Sequence, residues 1–367
     1  MKIGILSERL LRGFGVDLVI HNQANGLAAK GHNVTVYVQN YDKTFLDQNY
    51  KVVVIDSPLL FNPLKTEYTL LKRKIKFFRK EKNDAWIIHA WPFFVLTPFL
   101  KGKVFIYDHG TVASKGMYLK RRLVFWYQKF MSRYVYFFFS NKIITISKYI
   151  RSSLPMHTRW KSTVIYNGTN HYTSGYTKDE SKILKLKEKL AIRDSDFVML
   201  YVGRLNHEGQ PYKGVNDLID IYQHIQDSDI KLIMAGFGSD EDRINLEKKG
   251  IIAINNVPDH ELLMLYDICN IYVSATKWEG FNLPMVEAQS FGKIPVVYNI
   301  GPHNEILNSG KDSFVVKNQK EFIEKVKFLY DNPDFRADHA QDAINNAEKY
   351  TWQISVDKLN DFLKQYE

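Results

Sequence analysis

Short runs of consecutive apolar residues alternate with longer amphipathic stretches along nearly the whole chain. KIGILS reads as a buried strand and RLLRGFGVD as a loop holding Gly13 and Gly15. LVIHNQANGLAAKG reads as a helix ending at Gly31, and HNVTVYVQN as the next strand. Strand, helix, strand in that order is a βαβ unit. YKVVVID, DAWIIHA, GKVFIYDHG, NKIITIS and TVIYNG supply further strands. Their apolar residues are continuous rather than alternating, which suits a parallel sheet covered on both faces. HYTSGYTKDESK, residues 171–182, is polar and without apolar period, so it reads as a linker. The pattern then starts again. FVMLYVGRL, IKLIMAGFG, IIAINNV, NIYVSAT and IPVVYN are strands, with helices KGVNDLIDIYQHIQD, DEDRINLEKKG, DHELLMLYDIC and LPMVEAQSFG between them. The expectation is an α/β chain with one doubly wound domain over 1–170, a linker over 171–192 and a second doubly wound domain over 193–350. A C-terminal helix over 351–367 is expected to pack back on the first domain.

A length of 367 residues agrees with two domains of roughly 100–200 residues each. The single cysteine, Cys269, allows no intrachain disulfide and suits a reducing compartment. MKIGILSERL lacks the long apolar core of a secretory signal. No apolar run approaches the ~20 residues that span a bilayer. The expected location is therefore cytoplasmic, soluble or peripheral on the inner face of the plasma membrane. The net charge of +10 is unevenly spread. Residues 1–170 hold 27 Lys and Arg against 9 Asp and Glu, a net +18, and the remainder carries −8. The basic residues concentrate in 68–82 and 118–139. In 68–82, Leu71, Ile75 and Phe78 share a helix face, with Lys72, Arg73, Lys76, Arg79 and Lys80 around it. An interfacial helix on an anionic membrane and a packed helix with a solvated basic rim stand level there; for 118–139 the packed reading is favoured. No nucleic-acid-binding module is present.

Candidate chemistry centres on TKWEGFNLPMVEAQSFGKIPVV, residues 276–297. Glu279 and Glu287 are eight positions apart, close to two helical turns, but Pro284 excludes one uninterrupted helix. Glu279 is expected in a loop and Glu287 in the first turn of a helix opening near Pro284. A helix N-terminus offers unpaired N–H groups and a positive dipole end. Together these suit an anion flanked by hydroxyls, as in a nucleotide sugar. In YVGRLNHEGQPYKG a strand delivers Arg204, which can grip phosphate bidentately, and Lys213 supplies a point charge ahead of the next helix. Gly15 follows the first strand, where a glycine lets backbone approach a phosphate. His109 ends a predicted parallel strand, where ligands of such sheets bind; His89, at another strand end, competes with it. Asp194–Asp196 and Asp227–Asp229 read Asp-x-Asp, a metal-binding pattern elsewhere, but each immediately precedes a strand and reads as a turn. No His/Cys cluster has metal-ligand spacing, so no metal is expected.

EGFNLPMVE followed by GKIPVV resembles the Glu-x7-Glu region of retaining glycosyltransferases with the GT-B fold, the family that includes sucrose-phosphate synthase and the phosphatidylinositol mannosyltransferases. The resemblance covers nearly the whole chain and is densest over 199–310. It implies two Rossmann-like domains with a cleft between them, the first binding acceptor and the second a nucleoside-diphosphate sugar. It further implies hexosyl transfer with retention, without cofactor or metal, in the assembly of cell-surface glycans or glycolipids. UDP is taken ahead of GDP as the nucleotide, and the acceptor as a lipid-linked or anionic glycan. Arg204 and Lys213 would hold the donor diphosphate, with Gly15 against its phosphate. His109 would touch the donor sugar, Glu279 would bind the sugar hydroxyls and Glu287 those of the ribose, with Gly280, Phe281, Asn282 and Leu283 lining the donor site. In this chain eight residues separate Arg204 from Lys213, against about four in the family. A nucleotide-sugar epimerase of the same fold and a non-catalytic nucleotide-sugar-binding protein are the alternatives. A dinucleotide oxidoreductase fails on GFGSDE, where Glu241 stands in place of the last glycine.

Overall fold

The computed structural model of the chain describes residues 1–42, 48–57, 62–111, 118–173, 175–208, 210–225 and 227–367. Ser174 of the expected linker and Gly209, between Arg204 and Lys213, therefore lie outside the described residues. The chain divides into two compact units, Met1–Gly168 with Trp352–Glu367, and Thr169–Thr351.

Unit 1 contains β1 (Lys2–Leu6), β2 (Arg9–Leu10), β3 (Asn33–Val38), β4 (Asn40–Tyr41), β5 (Lys51–Val54), β6 (Ala85–Ile88), β7 (Lys103–Asp108), β8 (Lys142–Thr145) and β9 (Ser162–Val164). Its helices are α1 (Gly15–Ala29), α2 (Pro63–Lys80), α3 (Leu119–Phe130), α4 (Lys148–Ser152) and α5 (Met156–Arg159). Seven strands form a parallel sheet in the order β5-β3-β1-β6-β7-β8-β9. The apolar runs are buried as their continuity requires: Ile3, Ile5, Trp86, Ile87, Phe105 and Ile106 are inaccessible to solvent. α1 begins at Gly15, so that residue opens the helix instead of lying in the preceding loop.

Unit 2 contains β10 (Phe197–Arg204), β11 (Ile230–Phe237), β12 (Ile252–Asn255), β13 (Ile271–Ser274), β14 (Ile294–Tyr298) and β15 (Phe314–Val316). Its helices are α6 (Glu180–Lys189), α7 (Val215–Ile225), α8 (Asp240–Glu247), α9 (Asp259–Ile268), α10 (Leu283–Ser290), α11 (His303–Ile306), α12 (Gln319–Asp331) and α13 (Pro333–Ala347). The six strands are parallel, in the order β12-β11-β10-β13-β14-β15. Part of the expected linker is helical. Asp179 caps α6, accepting the Lys182 N–H at 3.2 Å, and Ile183 and Leu186 are buried one turn apart.

The last helix, α14 (Trp352–Lys364), returns to unit 1 and packs on α1. Gly26 lies at the contact, and a Cβ there would stand 2.5 Å from a Val356 methyl. Only glycine lets the two helices approach so closely. His32 Nε2 and Asn360 Oδ1 are 2.8 Å apart, and Lys30 pairs with Asp357.

The two basic segments differ. On α2, Leu70 and Phe78 are buried while Lys72, Arg73, Lys76, Arg79 and Lys80 are exposed, a packed helix with a basic rim. The packed reading of 118–139 is overturned over α3. None of its residues is buried, and Leu119, Leu123, Trp126 and Phe130 face solvent. Among the described residues no helix is long and apolar enough to cross a membrane.

Candidate active site

In unit 2 the candidate residues collect at the carboxyl ends of the strands, where a doubly wound sheet binds its ligands. Arg204 is the last residue of β10. Its guanidinium lies 4.5 Å over the ring of Phe237, the last residue of the neighbouring β11. The chain then runs to a 3-10 turn, Pro211–Lys213, tied to the loop after β13. The Tyr212 carbonyl accepts the Lys277 N–H at 2.7 Å and the Thr276 hydroxyl at 3.2 Å. Gly214 follows with φ +68, and a Cβ there would meet the Ala275 carbonyl oxygen at 2.0 Å. That close approach requires glycine. It also carries Lys213 to Glu279, with Nζ and Oε1 2.7 Å apart. The long spacer after Arg204 therefore still delivers Lys213 to the predicted carboxylate.

Arg204 and Glu279 share a neighbour. The buried Tyr201 hydroxyl donates to the Arg204 carbonyl at 3.2 Å. Burial holds its proton first, and the nearby Glu279 charge reinforces this while Arg204 opposes it.

Glu287 is not in the first turn of its helix. α10 starts at Leu283 with Pro284 next, which puts Glu287 fifth, in the second turn. Its carboxyl is buried and accepts the Tyr266 hydroxyl at 2.7 Å. His171 Nε2 stands 3.5 Å from the other oxygen. Burial pushes His171 down to about 3, so its imidazole is neutral and the contact is not an ion pair. Burial raises Glu287 to about 8, against a smaller lowering by the Tyr266 bond. Two buried glutamates eight positions apart thus have different partners, a lysine for Glu279 and a tyrosine and a neutral histidine for Glu287.

The loop between them is held from behind. Asn282, at φ +75, donates from Nδ2 to His303 Nε2 at 3.0 Å, and His303 Nδ1–H donates to the Tyr298 carbonyl at 2.8 Å. Burial keeps His303 neutral, which this arrangement needs. Phe281 packs edge-on against Tyr350, ring centroids 5.4 Å apart. No side chain caps the N-terminus of α10, and Gly280 and Leu283 flank the turn that leads into it. Gln289 and Asn346, 2.9 Å apart, fix the helix's buried face. His303, Tyr266, His171 and Asn346 are absent from the sequence candidates. Each meets its partner only through folding, with no local pattern to mark it.

Both Asp-x-Asp stretches lie at the opposite, amino ends of the strands. Arg193 donates to Asp196 Oδ1 at 2.6 Å and to Asp229 Oδ1 at 2.8 Å. Asp227 accepts the Asp229 N–H at 2.9 Å, a local turn bond.

In unit 1, Gly15 is the first residue of α1, whose N-cap Phe14 makes no side-chain cap bond. The turn before it is held by Asp17, buried, which accepts the Leu11 N–H at 2.8 Å and pairs with Arg9 at 3.3 Å. Burial raises Asp17 to about 7. His109 directly follows β7. Its Nε2 is 3.0 Å from Nδ1 of His89, and burial pushes His109 down to about 3. The competing histidines therefore form one neutral pair. Asp108 anchors the turn, accepting from the Gly110 N–H at 2.9 Å and from Arg133 at 2.8 Å.

Comparison with known proteins places this architecture. The model described as Glycosyltransferase Family 4 matches residues 15–172, and that described as Glycosyl transferases group 1 matches residues 182–350. The sucrose-phosphate synthase of Thermosynechococcus elongatus superposes with a TM-score of 0.80 at 15% identity, covering 99% of this chain and 98% of that one. Anabaena HepE in complex with UDP-glucose superposes at 0.79 with 18% identity over the whole of both chains. In sequence, the alpha-monoglucosyldiacylglycerol synthase of Acholeplasma laidlawii is 23% identical over 96% of this chain and 94% of its own. Two parallel α/β units, each matched over most of its length by one of these models, define a sugar-transferring enzyme. The chain belongs to the group 1 glycosyltransferases with the GT-B fold.

Proposed function

We propose that the chain moves a hexosyl group from a nucleoside-diphosphate sugar, UDP ahead of GDP, to an acceptor hydroxyl with retention at the anomeric carbon. The observation that carries this reading is the 2.7 Å Lys213–Glu279 pair in the same strand-end region as Arg204. Negative charge collects on the departing diphosphate as its bond to the anomeric carbon breaks. Arg204 and Lys213 are the cations that stabilise it, the transition-state electrostatic role. Glu279 holds Lys213 in place and binds the sugar hydroxyls, while Glu287 takes those of the ribose. Gly280, Phe281, Asn282 and Leu283 shape the donor pocket, with the α10 N-terminus toward the phosphates. The family resemblance assigns His109 to the donor sugar and Gly15 to a donor phosphate. No metal or cofactor takes part.

The acceptor is a lipid-linked or anionic glycan of cell-surface assembly, in keeping with the basic first unit. Two likenesses support the substrate classes: the UDP-glucose bound to HepE, and the diacylglycerol named as part of the Acholeplasma relative's product. The test is a panel of nucleotide sugars screened for nucleotide release with and without acceptor lipids. Release that depends on acceptor, with product keeping the donor's anomeric configuration, is expected. Inverted product would overturn retention, and a new sugar epimer formed without acceptor would replace the transferase reading with an epimerase.

A further inference from the structure

Unit 1 presents one face that the proposed chemistry leaves unused. From Asp108 to Asp179 the intervening chain contains no acidic residue. Besides the strands β8 and β9, its described part builds α3, the turns over 131–139, α4 and α5. Trp126, Phe130 and Tyr134 are spaced four apart, and their rings stack at 5.6 and 5.4 Å. The row continues from Tyr134 to the His157 ring at 5.9 Å and on to Phe138 at 6.3 Å. Trp126 is 64% exposed, Trp160 74% and Met156 84%. A contiguous exposed apolar surface marks an interaction site. Lys120, Arg121, Arg122 and Lys129 are exposed on the same helix, and Arg159 on α5.

The chemistry of this face selects its partner. Trp and Tyr rings settle at the boundary between lipid headgroups and acyl chains. Cations beside them are drawn to anionic headgroups. A second copy of the chain would bring the same cations, with no carboxylate in this stretch to answer them. We propose that this face docks on an anionic lipid bilayer, with Trp126, Phe130, Phe138 and Trp160 entering the headgroup boundary. The surface is preformed. Glu67 of α2 accepts the Tyr127 hydroxyl of α3 at 2.7 Å and that of Tyr136 at 2.8 Å, locking the two basic helices together. It also meets the candidate chemistry, since Arg133 of the 131–135 turn is the residue paired with Asp108, next to His109. The proposal extends the lipid-linked acceptor suggested above and rests on it.

The test is flotation of the full chain with phosphatidylcholine vesicles with and without phosphatidylglycerol, at low salt and at about 1 M, where the Debye length is about 3 Å. Two variants accompany it. One carries Trp126→Ser, Phe130→Ser and Trp160→Ser. The other carries Lys120→Gln, Arg121→Gln, Arg122→Gln and Lys129→Gln. Wild type is expected to bind the anionic vesicles and to shift its tryptophan emission to the blue. The glutamine variant should lose roughly a hundredfold or more in low-salt affinity. The serine variant should lose about tenfold or more, including whatever binding survives high salt, and most of the emission shift. Equal binding to both vesicle types, or a serine variant that binds like wild type, would overturn the proposal. So would a wild-type oligomer dispersed by the serine substitutions with no vesicle binding. Nucleotide-sugar binding measured calorimetrically on the same samples reports on unit 2. Its failure would sink the donor reading, whereas failed flotation with intact nucleotide binding sinks only this one.

Discussion

Unit 2 carries carboxylates at both ends of its sheet, and the two sets are built for different purposes. At the amino ends, Asp196 and Asp229 share Arg193. Burial would raise Asp196, but its bonds to Arg193 outweigh that and hold it below the usual carboxylate range. Their charges are answered inside the fold. At the carboxyl ends, Glu279 is paired with a lysine that the 211–214 turn delivers, and Glu287 is buried beside a tyrosine and a neutral histidine. One pair closes two turns, while the other leaves one carboxylate on a lysine and one among neutral partners around a helix N-terminus. A buried carboxyl held by neutral partners, close in sequence to one that holds a lysine, is the kind of arrangement found at binding and reacting sites.

The sharpest way to break this contrast is to remove the ion pair. Glu279→Ala and Lys213→Ala should each lower the rate of donor-derived nucleotide release by ~10²–10³. The double variant should cost far less than the two losses combined, because each single change already leaves the partner charge unanswered. Initial rates with the best donor of the panel decide this, with thermal unfolding confirming that the fold persists. Additive losses would mean that the two residues do not act as a unit.

The next effect is on affinity. Ribose hydroxyls donating to Glu287 favour its charged form, so donor binding should lower its pKa and release a proton. Affinity for an intact nucleotide sugar should then rise with pH toward about 8, by up to about tenfold per unit. Glu287→Gln should bind more weakly at pH about 8 and lose the slope. Calorimetry in buffers of different ionisation heat measures the proton directly. A wild type with a flat profile would remove Glu287 from the ribose.

How far the sequence shows this depends on the distance over which each feature is encoded. The strands are legible because each apolar run is local. The three residues FVV of β15 leave little local signal, whereas α12, absent from the sequence expectation, does carry one: Phe322, Val326 and Leu329 recur at helical spacing behind the capping Asn318. Lys213, Glu279 and Glu287 stand out as residue types in a pattern. Their states do not, because those depend on partners remote in the chain: Lys213 is 66 positions from Glu279, and Tyr266 is 21 from Glu287. The exposed face of α3 departs from the packed expectation for a related reason. An aromatic-rich helix is usually paired with a core, and only the fold shows that Trp126 and Phe130 have none over them.

A smaller effect follows for stability. Glu287 is raised in the folded state from 4.5 to about 8. Its stabilising contribution is therefore complete below about 4.5 and lost as pH rises through about 8. The neutral buried histidines, His171 and His303, act in the opposite sense, since their stabilisation is lost as pH falls below their unfolded values. The difference in urea midpoint between wild type and Glu287→Gln isolates the glutamate. It should favour wild type less and less as pH is raised toward about 8. A constant difference would mean that Glu287 ionises in the folded state as it does unfolded.

The smallest expected effect is none at all, and it tests the other end of the sheet. If the Asp-x-Asp stretches served a metal beside the sugar diphosphate, their oxygens would have to be free and face the ligand. Asp227 instead accepts the N–H of Asp229, Asp229 and Asp196 are engaged by Arg193, and Asp194 pairs with Lys187 at 2.9 Å. All four precede β10 or β11, at the ends opposite to Arg204. Asp194→Asn and Asp227→Asn should therefore leave both turnover and donor affinity at wild-type values. Wild-type turnover should likewise be the same with a chelator or with added manganese. Disruption of the Arg193 clamp through Asp196→Asn should lower the unfolding temperature while turnover well below that temperature is kept. Loss of activity in chelator that manganese restores, or in either asparagine variant without unfolding, would move the chemistry to the wrong end of the sheet and undo the contrast.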